Sequence, residues 1–159
     1  MDSIIFSEHQ EGVKDEEIMG FQEKTNLRFP LEFKEFLKET NGGYPQETLF
    51  TNVFIEIDPE TGEEHIQGTD IDQFYSLEEI EFDYTDYSED GYIPADYIPF
   101  AISSFGNLLL LYLGDTEEYG SVCFANHDLF DAKKGMYTIS KVSPSFSAFI
   151  RELHSTEEG

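Results

Sequence analysis

Residues 29–43, FPLEFKEFLKETNGG, decide how the chain folds. Pro30 pre-sets a first helical turn, because its ring holds φ near the helical value and its missing N–H is one that a helix start leaves unpaired anyway. Phe33, Phe36 and Leu37 then recur at helical spacing, while Glu32, Lys34, Glu35 and Lys38 fall on the other side. One apolar stripe and one charged stripe predict an amphipathic helix packed on a core. Asn41 and Gly42 can both take the left-handed conformation that closes a helix, so the Asn-Gly-Gly reads as its stop.

Upstream, Lys14 to Thr25 (KDEEIMGFQEKT) places Ile18 and Phe21 three apart, with acids in the first turn where the helix dipole favours them. This predicts a short helix. Downstream the period changes. Thr51 to Ile57 (TNVFIEI) alternates, with Val53, Ile55 and Ile57 on one face, and predicts a strand. Asp58 to Glu63 (DPETGE) is turn chemistry, and Glu64 to Gly68 returns as a second strand. Ser76 to Ile80 reads as a single helical turn capped by Ser76. Three apolar runs follow, Ile98–Ser103, Asn107–Leu113 and Ser121–Ala125, separated by the hairpin-like SFGN and GDTEEYG. They predict the central antiparallel strands, with Met136–Val142 as one more. In the closing SPSFSAFIREL, Phe146, Phe149, Ile150 and Leu153 fall at i, i+3, i+4 and i+7, with Ser143 as N-cap and Pro144 as the first helical position. The tail from His154 onward is expected to fray. Helices at both ends and a meandering sheet between them make the class α+β. The expectation is a single domain over residues 1–159, its ordered core spanning about 13–154. Its central sheet is mainly antiparallel, flanked by N-terminal helices and a C-terminal helix.

Composition bounds the partner. Hydrophobic residues make up 39% of the chain and aromatic residues 15%, which is core material that disordered acidic segments lack. The formal net charge is −25, from nine basic residues against 34 acidic ones, a field that repels nucleic acid and anionic membranes. All nine basic residues lie up to Lys38 or from Lys133 onward, and the interval between holds 22 acids. Carboxylates without local cations repel one another and cost stability. The interval serves either solubility alone or the attraction of a cationic protein partner; neither nucleic acid nor a membrane is an expected partner.

Chemistry-bearing motifs are missing. There is no phosphate-cradling glycine loop, no G-x-S-x-G elbow and no H-E-x-x-H. His9, His65, His127 and His154 share no ligand spacing. His127 beside Asp128 is the one acid–base candidate, against the plainer reading of a polar residue at a strand end. Asp86, Ser88 and Asp90 followed by Gly91 copy the first half of a calcium loop, but Tyr97 stands where a bidentate glutamate is required. No catalytic residue, metal or cofactor is expected. Cys123, the single cysteine, sits in the apolar SVCF and reads as a buried structural thiol, which fits a reducing cytoplasm. MDSIIFSEHQEG lacks the features of a signal peptide, and the longest apolar run, Leu108–Leu113, is too short to span a membrane. A cytoplasmic location is the expectation.

Several segments in order resemble the SUKH superfamily, which includes Knr/Smi-type fungal cell-wall regulators and bacterial proteins encoded beside polymorphic toxins. They are Pro30, Phe33, Phe36 and Leu37 leading to Asn41, Gly42 and Gly43; then Pro99, Phe100 and Ala101; then Gly106 and Asn107. Gly120, Val122, His127 and Asp128 follow, and Ser145, Phe146, Phe149 and Ile150 close the pattern. The resemblance implies an α+β domain, no catalysis, and a cytoplasmic immunity protein that binds and neutralises a toxin, often a nuclease or deaminase. A Knr/Smi-type regulatory or scaffold protein without a toxin partner is the alternative.

Charge and resemblance meet in Ile80–Tyr97 (IEFDYTDYSEDGYIPADY), which holds six acids, four tyrosines and no Lys or Arg. A nuclease or deaminase toxin needs a basic surface, which an acidic protein can cover. The segment therefore reads as an exposed contact loop, with Asp83, Tyr84, Asp86, Tyr87, Glu89 and Asp90 as partner-binding residues. The other reading of its tyrosines is that they pack inward. The acidic turn carrying Asp58, Glu60, Glu63 and Glu64 is the second contact expected.

Overall fold

Among residues 4–155, the part that the computed structural model describes, the chain runs through eleven strands and four helices. The order is β1 (Phe6–Gln10), α1 (Asp15–Thr25), α2 (Leu31–Glu39), β2 (Asn41–Pro45), β3 (Leu49–Phe50), β4 (Phe54–Ile57), β5 (Glu64–Gln67), β6 (Asp70–Ile71), β7 (Gln73–Phe74), α3 (Leu77–Asp90), β8 (Tyr97–Ile102), β9 (Leu108–Tyr112), β10 (Val122–Asp131), β11 (Met136–Ser143) and α4 (Phe146–Glu152). Seven strands form one antiparallel sheet in the order β1-β2-β7-β8-β9-β10-β11. Two small ribbons, β3-β6 and β4-β5, belong to the excursion between β2 and β7. The class is α+β, as the pattern predicts.

Leu108 to Leu111 of β9 are all buried, which is why that run shows no alternation: a strand covered on both faces has no polar side. Phenylalanine rings join helices to sheet. Phe33 of α2 lies 5.9 Å from Phe100 of β8 and 5.0 Å from Phe146 of α4, ring centre to ring centre. Phe36 sits 5.4 Å from Phe74 and 5.1 Å from Phe146, and Phe149 stands edge-on to Phe100 at 5.6 Å. Edge-to-face contacts of this kind add to the burial of each ring.

The Asn-Gly-Gly does something other than stop the helix. Helix α2 ends in Thr40, whose backbone is extended (φ −142°, ψ 106°), and Asn41 already belongs to β2. The left-handed positions are Gly42 (φ +77°) and Gly43 (φ +142°). A Cβ on Gly42 would lie 2.4 Å from the Ser76 backbone nitrogen, and one on Gly43 would lie 2.2 Å from the Glu8 carbonyl oxygen. Asn41 Oδ1 accepts from the Leu77 N–H at 2.8 Å. The motif is thus a strand thinned to let β1 and the start of α3 approach its backbone.

Two further expectations are corrected. Ser145, not Ser143, caps α4 by accepting from the Ala148 N–H at 3.1 Å, and Pro144 precedes the helix. The Ser143 hydroxyl instead donates to Glu152 Oε1 at 2.6 Å. His154 does not fray: it exchanges backbone hydrogen bonds with Phe50 at 2.8 and 3.1 Å, while the tail beyond Ser155 lies outside the described residues. Among the described residues no helix is long and apolar enough to cross a membrane.

Candidate partner-binding site

The acidic tyrosine segment is mostly helix. Ser76 Oγ accepts from the Glu79 N–H at 3.2 Å, and the Glu79 carboxylate accepts from the Ser76 N–H at 2.9 Å. This capping box nucleates a helix that continues to Asp90 and closes on Gly91 at φ +79°. The exposed contact loop expected for Asp83, Tyr84, Asp86, Tyr87, Glu89 and Asp90 is therefore corrected: all six lie on α3. Leu77, Ile80, Tyr84 and Tyr87 fall at i, i+3, i+7 and i+10, one continuous inner stripe. That spacing was visible in the sequence, but only if tyrosine is counted as apolar.

The two tyrosines consequently pack inward. The Tyr84 ring meets Phe21 of α1 edge-on at 5.9 Å, and its hydroxyl donates to the Ala95 carbonyl at 2.7 Å. Tyr87 meets Tyr137 of β11 edge-on at 6.2 Å. Burial raises the pKa of both hydroxyls. Helical geometry also undoes the calcium resemblance. Residues two apart on a helix point roughly 200° away from each other, so Ser88 is turned from Asp86 and Asp90. Its hydroxyl donates to the Tyr84 carbonyl at 2.6 Å. Among the described residues no three His, Cys, Asp or Glu side chains are placed to hold a metal ion.

What α3 shows to solvent is Glu78, Phe82, Thr85, Asp86, Glu89 and Asp90. Phe82, 67% exposed among these acids, was missed by a reading that counted only tyrosines and carboxylates. Lys24 pairs with Glu81, and among the described residues no other ion pair reaches the helix. Glu89 and Asp90 sit in the last turn, which holds no basic residue, so they face the negative end of the helix dipole. Asp83 is half-buried in a cleft of about 490 Å³ that Tyr75, Glu78, Glu79 and Phe82 also line. Burial holds its carboxyl above the ordinary aspartate range; the Tyr75 hydroxyl opposes this, and the charges of Asp86 and Glu79 add to it.

Beyond Gly91 a second exposed group appears. Tyr92 stacks on Tyr137 at 5.2 Å with 17° between planes, and Phe130 stands edge-on to Tyr92 at 6.1 Å. The Tyr92 carbonyl accepts from the Tyr137 N–H at 3.0 Å, which ties the end of α3 to β11. This aromatic cluster assembles from β10, β11 and the turn after α3, so it has no signal in any one segment.

The second predicted contact lies elsewhere, on the turn between β4 and β5. Asp58 Oδ1 accepts from the backbone N–H of Glu60 and Thr61 at 2.8 and 3.2 Å, so Asp58 shapes the turn, while Glu60, Glu63 and Glu64 are exposed. His127 is bound into the sheet. Its Nδ1 lies 3.1 Å from the Gly106 carbonyl and its Nε2 3.3 Å from Asp128 Oδ1, and its N–H donates to Asn107 Oδ1 at 2.9 Å. It holds the β8–β9 turn against β10. Burial pushes the Cys123 thiol up to about 11, so it stays protonated at neutral pH.

The sequence pattern that defines the SMI1 / KNR4 family (SUKH-1) matches residues 12–152. The chain has no significant match among curated proteins.

Proposed function

Since the chain belongs to the SMI1 / KNR4 family (SUKH-1), which includes toxin-immunity proteins, we propose that it is a non-catalytic immunity protein that neutralises a toxin domain by covering its basic surface. The observation that carries this reading is the outer face of α3. Glu89 and Asp90 sit in the last turn, where the dipole disfavours anions, with Asp86 and the exposed Phe82 about one and two turns before Asp90, and among the described residues none of these carboxylates has an ion-pair partner. An arrangement that costs the free protein stability becomes favourable when a cationic surface covers it. Opposed fields also speed encounter, up to about 10⁸–10⁹ M⁻¹s⁻¹ at low salt. A nuclease or deaminase, which must hold phosphates, presents such a surface. Asp83, half-buried in its cleft and within reach of the Asp86 charge, adjoins the same face; Tyr84 and Tyr87 support it from beneath.

The test is binding to, and protection against, the product of the neighbouring gene. The parent should form a complex and rescue growth. Asp86→Lys with Asp90→Lys should slow association and flatten its salt dependence, because rim charges act mainly on encounter. Phe82→Ala should speed dissociation. Equal protection by parent and variants removes α3 from the interface. If no neighbouring toxin binds and a housekeeping protein does, the chain is instead a regulatory or scaffold protein of the Knr/Smi type.

A further inference from the structure

The β4–β5 ribbon is inside out. Its alternation has the period read from the sequence, but the opposite face is buried. Phe54 packs on Phe124 of β10 at 5.2 Å, and Glu56, 1% exposed, points inward beside it. Its carboxylate accepts from Gln67 Nε2 at 2.8 Å and from Asn126 Nδ2 at 3.1 Å. The outer face holds the β-branched residues. Ile55 pairs directly across from Ile66, and Val53 and Ile57 flank Ile55 on the same side. Their exposures are 48%, 73%, 71% and 53%, respectively. A Cβ on Gly68 would lie 4.0 Å from Val53 Cγ1, so the position opposite Val53 carries no side chain. Phe105, 82% exposed, shares with Val53 and Gly68 a cleft of about 780 Å³ that Asp70, Asn107, Asn126 and Asp128 also line.

A chain with 34 acids to spare has ample polar residues for an exposed ribbon face, yet it places four β-branched side chains there and a carboxylate beneath them. Contiguous exposed apolar surface of this kind marks an interaction site. We propose that the outer face of the β4–β5 ribbon docks a partner protein that presents an apolar ridge flanked by lysines or arginines. The apolar part follows from Val53, Ile55, Ile57 and Ile66. The cationic flank follows from the turn at the ribbon's tip, where Glu60, Glu63 and Glu64 are exposed and no Lys or Arg occurs anywhere between Lys38 and Lys133. A second copy of this chain is the wrong occupant, because it would bring another formal charge of −25 against the same acidic tip. The inference rests on the reading of the chain as a binder of cationic proteins and adds the apolar anchor to it.

The probe is a synthetic peptide alternating lysine and valine, titrated into the ¹⁵N-labelled 159-residue chain. Amide shifts should concentrate between residues 53 and 68, and a lysine–serine peptide should bind at least tenfold more weakly. Ile55→Thr with Ile66→Thr, which keeps the β-branch and hence the ribbon, should cut lysine–valine affinity at least tenfold at an unchanged melting midpoint. Should that pair unfold, the single Val53→Thr variant reads the same face. Shifts confined to α3, absence of shifts, or parental affinity in the threonine variants overturns the proposal. So does concentration-dependent self-association that the threonine pair abolishes, since the occupant is then a second copy. The two readings fail separately. A toxin that binds the threonine variants as well as the parent removes the ribbon alone, whereas peptide binding without any toxin partner removes the toxin alone.

Discussion

Glu56 is the residue on which the ribbon's orientation turns. A carboxylate this deeply buried is tolerated because the amides of Gln67 and Asn126 supply donors from two elements. Removing it takes the shared acceptor away from both amides. Glu56→Ala should therefore cost about 2–4 kcal/mol in urea unfolding, and Glu56→Gln, which keeps one acceptor, should cost less. A loss below about 0.5 kcal/mol for the alanine variant would mean that water already serves both amides. Cys123 makes a pH-dependent prediction. Burial raises its thiol from 9.0 to about 11, so the native state holds a proton that the unfolded chain releases first. The contribution is whole below pH 9 and is lost as pH rises through 11. The thiol's share of the fall in unfolding free energy across that window is roughly 2–3 kcal/mol, the buried tyrosines add to it, and Cys123→Ala should remove the thiol's part of the slope.

At the scale of the element, α3 combines a strong start with a poor end. The Ser76–Glu79 box and the Asn41 side chain satisfy its first turn, while Glu89 and Asp90 oppose the dipole in its last. Reversing Asp86 and Asp90 to lysine should therefore raise the melting midpoint in low salt even as it weakens partner binding. Stability and function would then move in opposite directions, which a purely solubilising helix does not predict. A lower midpoint in the double variant would show that these carboxylates stabilise the free fold. The periodicity of α3 was legible in Leu77, Ile80, Tyr84 and Tyr87. What hid it was the density of acids, which reads as solvated loop when tyrosine is scored by its hydroxyl rather than its ring.

For the whole molecule, repulsion dominates the electrostatics. Among the described residues the lysine–carboxylate pairs are Lys24–Glu81, Lys38–Asp15 and Lys141–Glu118, all at the surface, so most of the described acids have no lysine or arginine paired with them. Salt screens interactions over about 10 Å at 0.1 M. Raising sodium chloride from 10 mM to 0.5 M should therefore raise the melting midpoint by several degrees, as read by circular dichroism. A flat or falling midpoint would mean that the core, with its linked phenylalanines, leaves the surface field no measurable share.

By itself the sequence determined the elements whose pattern is both long and local. Phe33, Phe36 and Leu37 define α2, Leu108 to Leu111 define a covered strand, and Phe146, Phe149 and Ile150 define the closing helix, because apolar spacing records which side of a segment meets the core. It also determined the net charge and the base-free interval. Only the tertiary structure decided which face of β4 turns inward. Alternation states a period of two and is silent on its phase, which Phe124 and Asn126 settle from another strand. Two-residue strands such as β3, β6 and β7 carry no period at all and exist through their partners. The role of Gly42 and Gly43 is likewise set by Ser76 and Glu8, which approach from distant parts of the chain. Period is a property of neighbours in sequence, whereas phase, close approach and an assembled surface such as Tyr92 with Phe130 and Tyr137 depend on what lies across the fold.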